Sequence, residues 1–194
     1  FLFQLPFAIK KGYRYKLYID VKDEHLKRML WLIAPVLIGV AVNQINTIVD
    51  RTIASTLVEG SISALNYATK LNQFVMGMFI VSISSVVYPM LSKLSTENNK
   101  EKFNKSIITS VNTVTLLVIP ISIGAIILAN PIVKLLFQRG EFDARATQMT
   151  AVALIFYSIG MIGYGLRDIL GKVFYSLQDT RTPMINGVIA MVLN

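Results

Sequence analysis

The sequence predicts an all-α, polytopic bundle of transmembrane helices, on three observations. Of 194 residues, 54% are hydrophobic and only 15% are charged, against about 25% charged in an ordinary soluble domain. The charges are bunched into short segments. Between them run apolar stretches of the ~20 residues that a helix needs to cross a bilayer, and no alternation is long enough for the strands of a membrane barrel.

The elements are taken in chain order. Residues 1–7 read as the end of one span, and residues 8–28 as a basic linker. Four full spans are predicted over 29–55, 62–91, 107–133 and 149–173, with a further apolar run over 183–194. Pro35, Pro89 and Pro120 fall inside spans, where membrane helices tolerate them better than soluble ones do. The short link between the first two full spans makes a helix hairpin. The chain opens at Phe1 without Met and closes at Asn194 within an apolar run, so both ends are expected to be cuts through spans and the sequence a fragment.

Lys and Arg set the orientation. Lys10, Lys11, Arg14, Lys16, Lys22, Lys27 and Arg28 precede the first full span. Lys93, Lys100, Lys102 and Lys105 follow the second, and Lys172 and Arg181 follow the fourth. The opposite side has Arg51, Lys134, Arg139 and Arg145, a tally of thirteen against four. By the positive-inside rule the richer side is cytoplasmic.

Composition also removes whole classes of chemistry. With no cysteine there is no disulfide framework, thiolate metal site or thiol nucleophile. The one histidine, His25, lies in a charged stretch expected to face water, which leaves almost nothing for a zinc hydrolase or a Ser-His-Asp triad. The reading is a membrane protein that is not an enzyme, with no cofactor. The segment Gly12-Tyr13-Arg14-Tyr15-Lys16-Leu17-Tyr18 interleaves bases with aromatics, and beside a bilayer that pattern anchors a linker to anionic phospholipid headgroups rather than to nucleic acid.

Polar residues inside the spans are where a function would lie. At about 100° per residue, Asn66, Lys70, Gln73, Gly77, Ser84 and Tyr88 share one face of the second full span. Gly39, Asn43, Thr47, Asp50 and Ala54 share a face of the first; Thr150, Tyr157, Gly160, Tyr164 and Asp168 share one of the fourth. Lipid offers such groups no partners, so three stripes imply either a hydrated central cavity or close helix packing through small polar residues. Lys70 lies roughly 12 Å along its span at about 1.5 Å per residue. In a cavity with Asn66 and Gln73 it would attract an anion such as a phosphate; the alternatives are snorkelling to the interface or an ion pair with Asp50. Asp50, beside Arg51, would take a proton or a sodium ion, with Asn43 and Thr47 supplying neutral oxygens, or pair with Arg51 at a hydrated helix end. Arg167-Asp168 reads as an interfacial pair.

Four segments then point to a family. Asn43-Gln44-Ile45-Asn46-Thr47-Ile48-Val49-Asp50-Arg51-Thr52-Ile53-Ala54-Ser55, Leu65-Asn66-Tyr67-Ala68-Thr69-Lys70-Leu71, Leu136-Phe137-Gln138-Arg139-Gly140-Glu141-Phe142 and Phe174-Tyr175-Ser176-Leu177-Gln178-Asp179-Thr180-Arg181-Thr182-Pro183 resemble, in order and spacing, the MurJ/MviN family of lipid II flippases. The resemblance implies the fold of the multidrug/oligosaccharidyl-lipid/polysaccharide (MOP) exporters, MATE-like, with two six-helix lobes around a cationic cavity and roughly fourteen helices in all. The chain would then hold the end of the sixth helix, the cytoplasmic interlobe linker and helices seven to eleven, most of the second lobe.

The same resemblance implies a bacterial cytoplasmic-membrane protein that flips lipid II, the undecaprenyl-diphosphate-linked disaccharide peptide, by alternating access. Lys70 matches a position where the family commonly carries Arg and binds diphosphate, which keeps the charge and loses bidentate recognition. Asp50 resembles the aspartate of a sodium site present in some members, and one turn later Ala54 has no oxygen to offer. Rival readings are an exporter of drugs or other lipid-linked oligosaccharides, and a non-transporting scaffold that recruits cell-wall synthesis proteins.

Overall fold

A computed structural model describes residues 5–10, 12, 23–97 and 99–193. All regular structure among them is helical, and no strand occurs among the described residues. The predicted headgroup anchor over 13–18 lies outside them, as do residues 1–4 of the first span remnant. Leu5–Lys10 is a short helix, α1. The long elements are α2 (Glu24–Ser55), α3 (Ser61–Val75), α4 (Ser82–Thr96), α5 (Lys100–Ile127) and α7 (Ala144–Ser176), with the shorter α6 (Ala129–Phe137) and α8 (Arg181–Leu193). A π-helical segment, Met76–Val81, joins α3 to α4 into one span. Four helices are thus long and apolar enough to cross a membrane.

The helices outrun the predicted spans because a span counts apolar residues, whereas a helix continues until something ends its hydrogen-bond ladder. The linker expected to run to residue 28 gives way to α2 at Glu24. The third span starts not at 107 but after Asn99, whose side chain accepts from the Lys102 backbone N–H at 3.1 Å. The fourth starts after Asp143, which accepts from the Ala146 N–H at 2.7 Å. Both are N-caps that satisfy donors the first turn leaves free. The far end of the third span also differs. Expected to reach 133, it stops at Ile127, and Leu128 breaks the helix at φ −100°, ψ 14°. Pro131 then falls in the first turn of α6, where its missing N–H costs nothing.

α7 is the hub, packing on α3, α4, α5 and α6, while α2 lies chiefly along α8. Three apolar clusters line α7 along its length. Ala68, Ala129, Val133, Ala151 and Leu154 form one end; Ile80, Val114, Val118, Met161 and Ile169 the middle; Val87, Leu91, Phe103 and Val173 the other end. Two buried hydroxyls are satisfied within their own helices, where Ser158 donates to the Leu154 carbonyl at 2.7 Å and Ser110 to that of Ser106 at 2.7 Å, a low-cost way to hold polar side chains at tight crossings; the buried hydroxyls of Ser122 and Thr150 have no hydrogen-bond partner among the described residues.

The π segment decides which residues of the second span face α7. Buried Ala64 and Ala68 precede it; buried Ile80, Ser84, Val87 and Leu91 come after it. On an unbroken α-helix the two sets would stand about 150° apart, and each residue added to a turn rotates the rest of the helix back by about 100°. Underwinding over Met76–Val81 therefore returns both halves to one neighbour. The predicted stripe is corrected accordingly: Asn66, Lys70, Gln73 and Gly77 stay together, exposed, whereas Ser84 is 4% exposed and turned into the bundle.

Candidate functional site

Asn66, Lys70 and Gln73 of α3, with Gly77 at the start of the π segment, stand about 180° around the helix from Ala68 at about 100° per residue, and Ala68 is wholly buried against the bundle. The strip is therefore the face that this chain's own packing leaves open. Lys70 is its one charge. The ammonium lies 5.6 Å from the centroid of the Tyr67 ring, one turn back, a cation–π distance.

Tyr67 is held in turn by Phe137 at 4.8 Å and by Phe142, edge-on, at 5.1 Å. These two rings bracket the Phe-Gln-Arg-Gly-Glu-Phe segment, which turns back on itself through Gly140 at φ +58° with the Phe142 N–H donating to the Arg139 carbonyl at 3.1 Å. The left-handed backbone explains the glycine. The motif thus acts at a distance from its own charges: it fixes the ring against which Lys70 rests.

The stripes on the first and fourth spans meet in a different place. Gly39 and Asn43 of α2 face Tyr164, Arg167 and Asp168 of α7 across a cavity of about 490 Å³ closed by α8. Lys70 does not line this cavity. Arg167 and Asp168 are not an interfacial pair either. Arg167 donates to the Asn43 side-chain oxygen at 3.4 Å and Asp168 accepts from Ser84 of α4. Neighbours in a helix point about 100° apart, so each carboxylate or guanidinium finds its partner on another helix. The sequence named Ser84 and Asp168 on separate stripes; only the π segment brings them together.

The suggested cation ligands do not converge. Asn43 and Asp50 are about 10.5 Å apart along α2 at 1.5 Å per residue, beyond the reach of one hard cation with ligands at about 2.4 Å. The Asn43 oxygen already faces Arg167, and the Thr47 hydroxyl donates to the Asn43 carbonyl at 3.0 Å. Among the described residues no three His, Cys, Asp or Glu side chains gather as a metal site would require. Asp50 is exposed near the outer end of α2. Lys70 does not pair with it: the ion pair found among the described residues is Lys93–Glu97, at 3.8 Å.

The last motif proves to be a corner. Helix α7 closes with the Gln178 N–H donating to the Tyr175 carbonyl at 3.0 Å and the Asp179 N–H to that of Phe174 at 2.9 Å, the Schellman pattern, with Gln178 in the left-handed position at φ 60° that glycine usually takes. Asp179 then opens α8 by accepting from the Arg181 and Thr182 N–H groups at 3.0 Å each and from the Thr182 hydroxyl at 2.5 Å. Arg28 of α2 donates to Gln178 at 2.5 Å, and the Arg181 guanidinium sits 4.4 Å over Trp31, so the corner clasps the start of α2.

The Thr182 hydroxyl, followed by the Thr182 and Arg181 backbone donors, holds the Asp179 carboxyl below its usual 3.8. Its contribution to stability is present above the ordinary carboxylate value and is lost as pH falls through the lowered one. Asp179→Ala is expected to cost about 1 kcal/mol in thermal unfolding of the full chain in detergent at neutral pH, and Asp179→Asn less. The gap between Ala and wild type should narrow below about pH 4.

Fold and site together define a multi-pass α-helical membrane protein with a cationic polar face left open beside its own packed core. A family model described as "Lipid II flippase MurJ" matches residues 1–194, and the chain belongs to that family. It is 39% identical over 194 residues to a probable lipid II flippase MurJ of Vibrio cholerae, covering 100% of this chain and 37% of the relative. It is 33% identical over 159 residues to a lipid II flippase MurJ of Burkholderia cenocepacia, covering 82% and 31%. A solved structure of lipid II flippase MurJ in an inward closed conformation superposes with a TM-score of 0.74 at 32% identity, over 98% of this chain and 40% of the other. The chain thus spans about two fifths of the length of such relatives. Its family and its four spans place it among multi-pass proteins of the bacterial inner membrane.

Proposed function

We propose that this chain forms part of a lipid II flippase, in which the strip of Asn66, Lys70 and Gln73 lines a hydrated passage and Lys70 holds the substrate's diphosphate. The observation that carries the reading is the placement of the strip: its one cation lies on the face of α3 turned away from α7, within a membrane span. Lipid satisfies neither an ammonium nor amide side chains, so a second body of protein bearing water must face the strip. Two lobes that rock against each other would open such a passage to the cytoplasm and then outward. The headgroup passes along the polar face while the undecaprenyl tail stays in lipid. No covalent step is required.

Lysine supplies a point charge with three donors, which attracts a diphosphate without the forked geometry of arginine. The ring of Tyr67 limits where that charge can stand. Asp50 offers one carboxylate to a coupling proton or sodium ion, and any further ligands must come from other parts of the protein. The test is complementation of a conditional flippase mutant by the full natural chain, with lipid II accessibility at the outer surface as the readout. Restored growth and accessibility support the reading; growth without accessible lipid II would favour a scaffold for cell-wall synthesis proteins and overturn it.

A further inference from the structure

A groove of about 920 Å³ runs between α4 and α5, on the cytoplasmic half of the bundle and away from the Lys70 strip. Its floor includes buried Val87 and Ser110. Its apolar wall includes Val86, 72% exposed, and Met90, 40% exposed. Two of the hydroxyls that line it are spent on their own helix, Ser110 donating to the Ser106 carbonyl at 2.7 Å and Thr113 to that of Thr109 at 2.8 Å; Ser82, Ser106 and Thr109 line it as well. The wall therefore offers an occupant mainly apolar contact.

The mouth has a different chemistry. Lys93, Glu97, Lys102 and Lys105 line it, where α4 ends and α5 begins, on the side that the distribution of Lys and Arg makes cytoplasmic. Lys93 is engaged by Glu97, and among the described residues no acid stands within ion-pair distance of Lys102 or Lys105. From Lys102 to Thr113 the groove runs along α5 for about 16 Å at 1.5 Å per residue, close to the half-thickness of a hydrocarbon core of ~30 Å. A largely apolar trough one leaflet deep, with two uncommitted ammonium groups at its headgroup end, matches one chemistry.

We propose that the α4–α5 groove binds an anionic glycerophospholipid of the cytoplasmic leaflet, acyl chain along Val86, Val87 and Met90 and phosphate against Lys102 and Lys105. The site is separate from the strip and stands whether or not Lys70 handles substrate. Bound there, the lipid would tie the α4–α5 corner to the inner leaflet and hold it fixed while other parts of the protein move.

The test is native mass spectrometry of the full natural chain, purified in detergent and titrated with phosphatidylglycerol or phosphatidylcholine of the same acyl chains. Each lysine near an anionic lipid is worth about fivefold, so with two of them wild type is expected to retain phosphatidylglycerol roughly twenty-five-fold better. K102Q/K105Q should bring that ratio close to one while leaving phosphatidylcholine retention unchanged. V86W, which fills the trough, should lower retention of both. A wild-type ratio near one, or a ratio that survives K102Q/K105Q, overturns the proposal. So does equal competition by soluble glycerol 3-phosphate, which would mean a free phosphate site, and so does indifference of both lipids to V86W, which would mean that another part of the protein covers the groove. Thermal unfolding checks that each variant is folded as wild type.

Discussion

Lys70→Glu in the full natural chain is expected to abolish complementation of a conditional flippase mutant and to reduce outer-surface lipid II to the level of the empty strain. The physical reason is the sign of the charge. A hydrogen bond to a charged group contributes about 1.5–3 kcal/mol, so removing it with Lys70→Ala should lower flipping about tenfold or more, while reversal adds repulsion of the diphosphate to that loss. Lys70→Arg keeps the charge, adds bidentate geometry and should retain activity. Lys134→Glu supplies the control, since Lys134 is exposed at the surface of α6 and has no part in the strip; it should behave as wild type. Equal abundance of all variants in the membrane must accompany the comparison. If Lys70→Glu grows and flips like wild type, the passage along α3 is wrong.

Gly165→Leu is expected to prevent accumulation of folded protein, and Gly165→Ala to destabilise it by about 1–3 kcal/mol through overpacking. A Cβ at Gly165 would lie 2.8 Å from the Ile80 Cδ1 and 3.0 Å from the Val114 Cγ1, with the Val118 Cγ2 at 3.6 Å. The end of Ile80 can turn aside, but β-branched Val114 is stiff, and both are buried in the central cluster. Here α7 packs close against both the π segment and α5. Gly160 and Gly163, within about one and a half turns on the same helix, have open space around an added Cβ; alanine there should be neutral or stabilise slightly, as Gly→Ala does in a helix. Thermal unfolding of detergent-purified full chains compares the three. A Gly165→Ala variant as stable as Gly160→Ala would mean that the crossing is looser than described.

Asp179→Ala and the lysine pair at the α4–α5 mouth test parts of the molecule that the passage does not touch. The clasp at Arg28 and Gln178 is structural, and its failure should lower stability without changing which substrate is moved. The lipid groove should change what co-purifies without changing the fold.

Composition alone determined that the chain is a helical membrane bundle, because a backbone in lipid must satisfy its own hydrogen bonds and runs of about 20 apolar residues leave few other solutions. Charge counts gave a sidedness, and the 100° period placed Asn66, Lys70 and Gln73 on one face, since both depend on local spacing. Periodicity failed where the helix ceased to be α. The π segment rotates Ser84 off the Lys70 strip and onto Asp168, an offset that no α-helical wheel contains. It also failed where a partner lies far along the chain: the Arg167–Asn43 contact, the Tyr67 cage made by Phe137 and Phe142, and the crowding at Gly165 all join different helices. Helix ends depart from the predicted spans because hydropathy does not register the caps at Asn99 and Asp143 or the break at Leu128. Which polar face meets which neighbour is a question of how whole helices pack, and ridges, small residues and helix rotation settle it only once the other helices are in place.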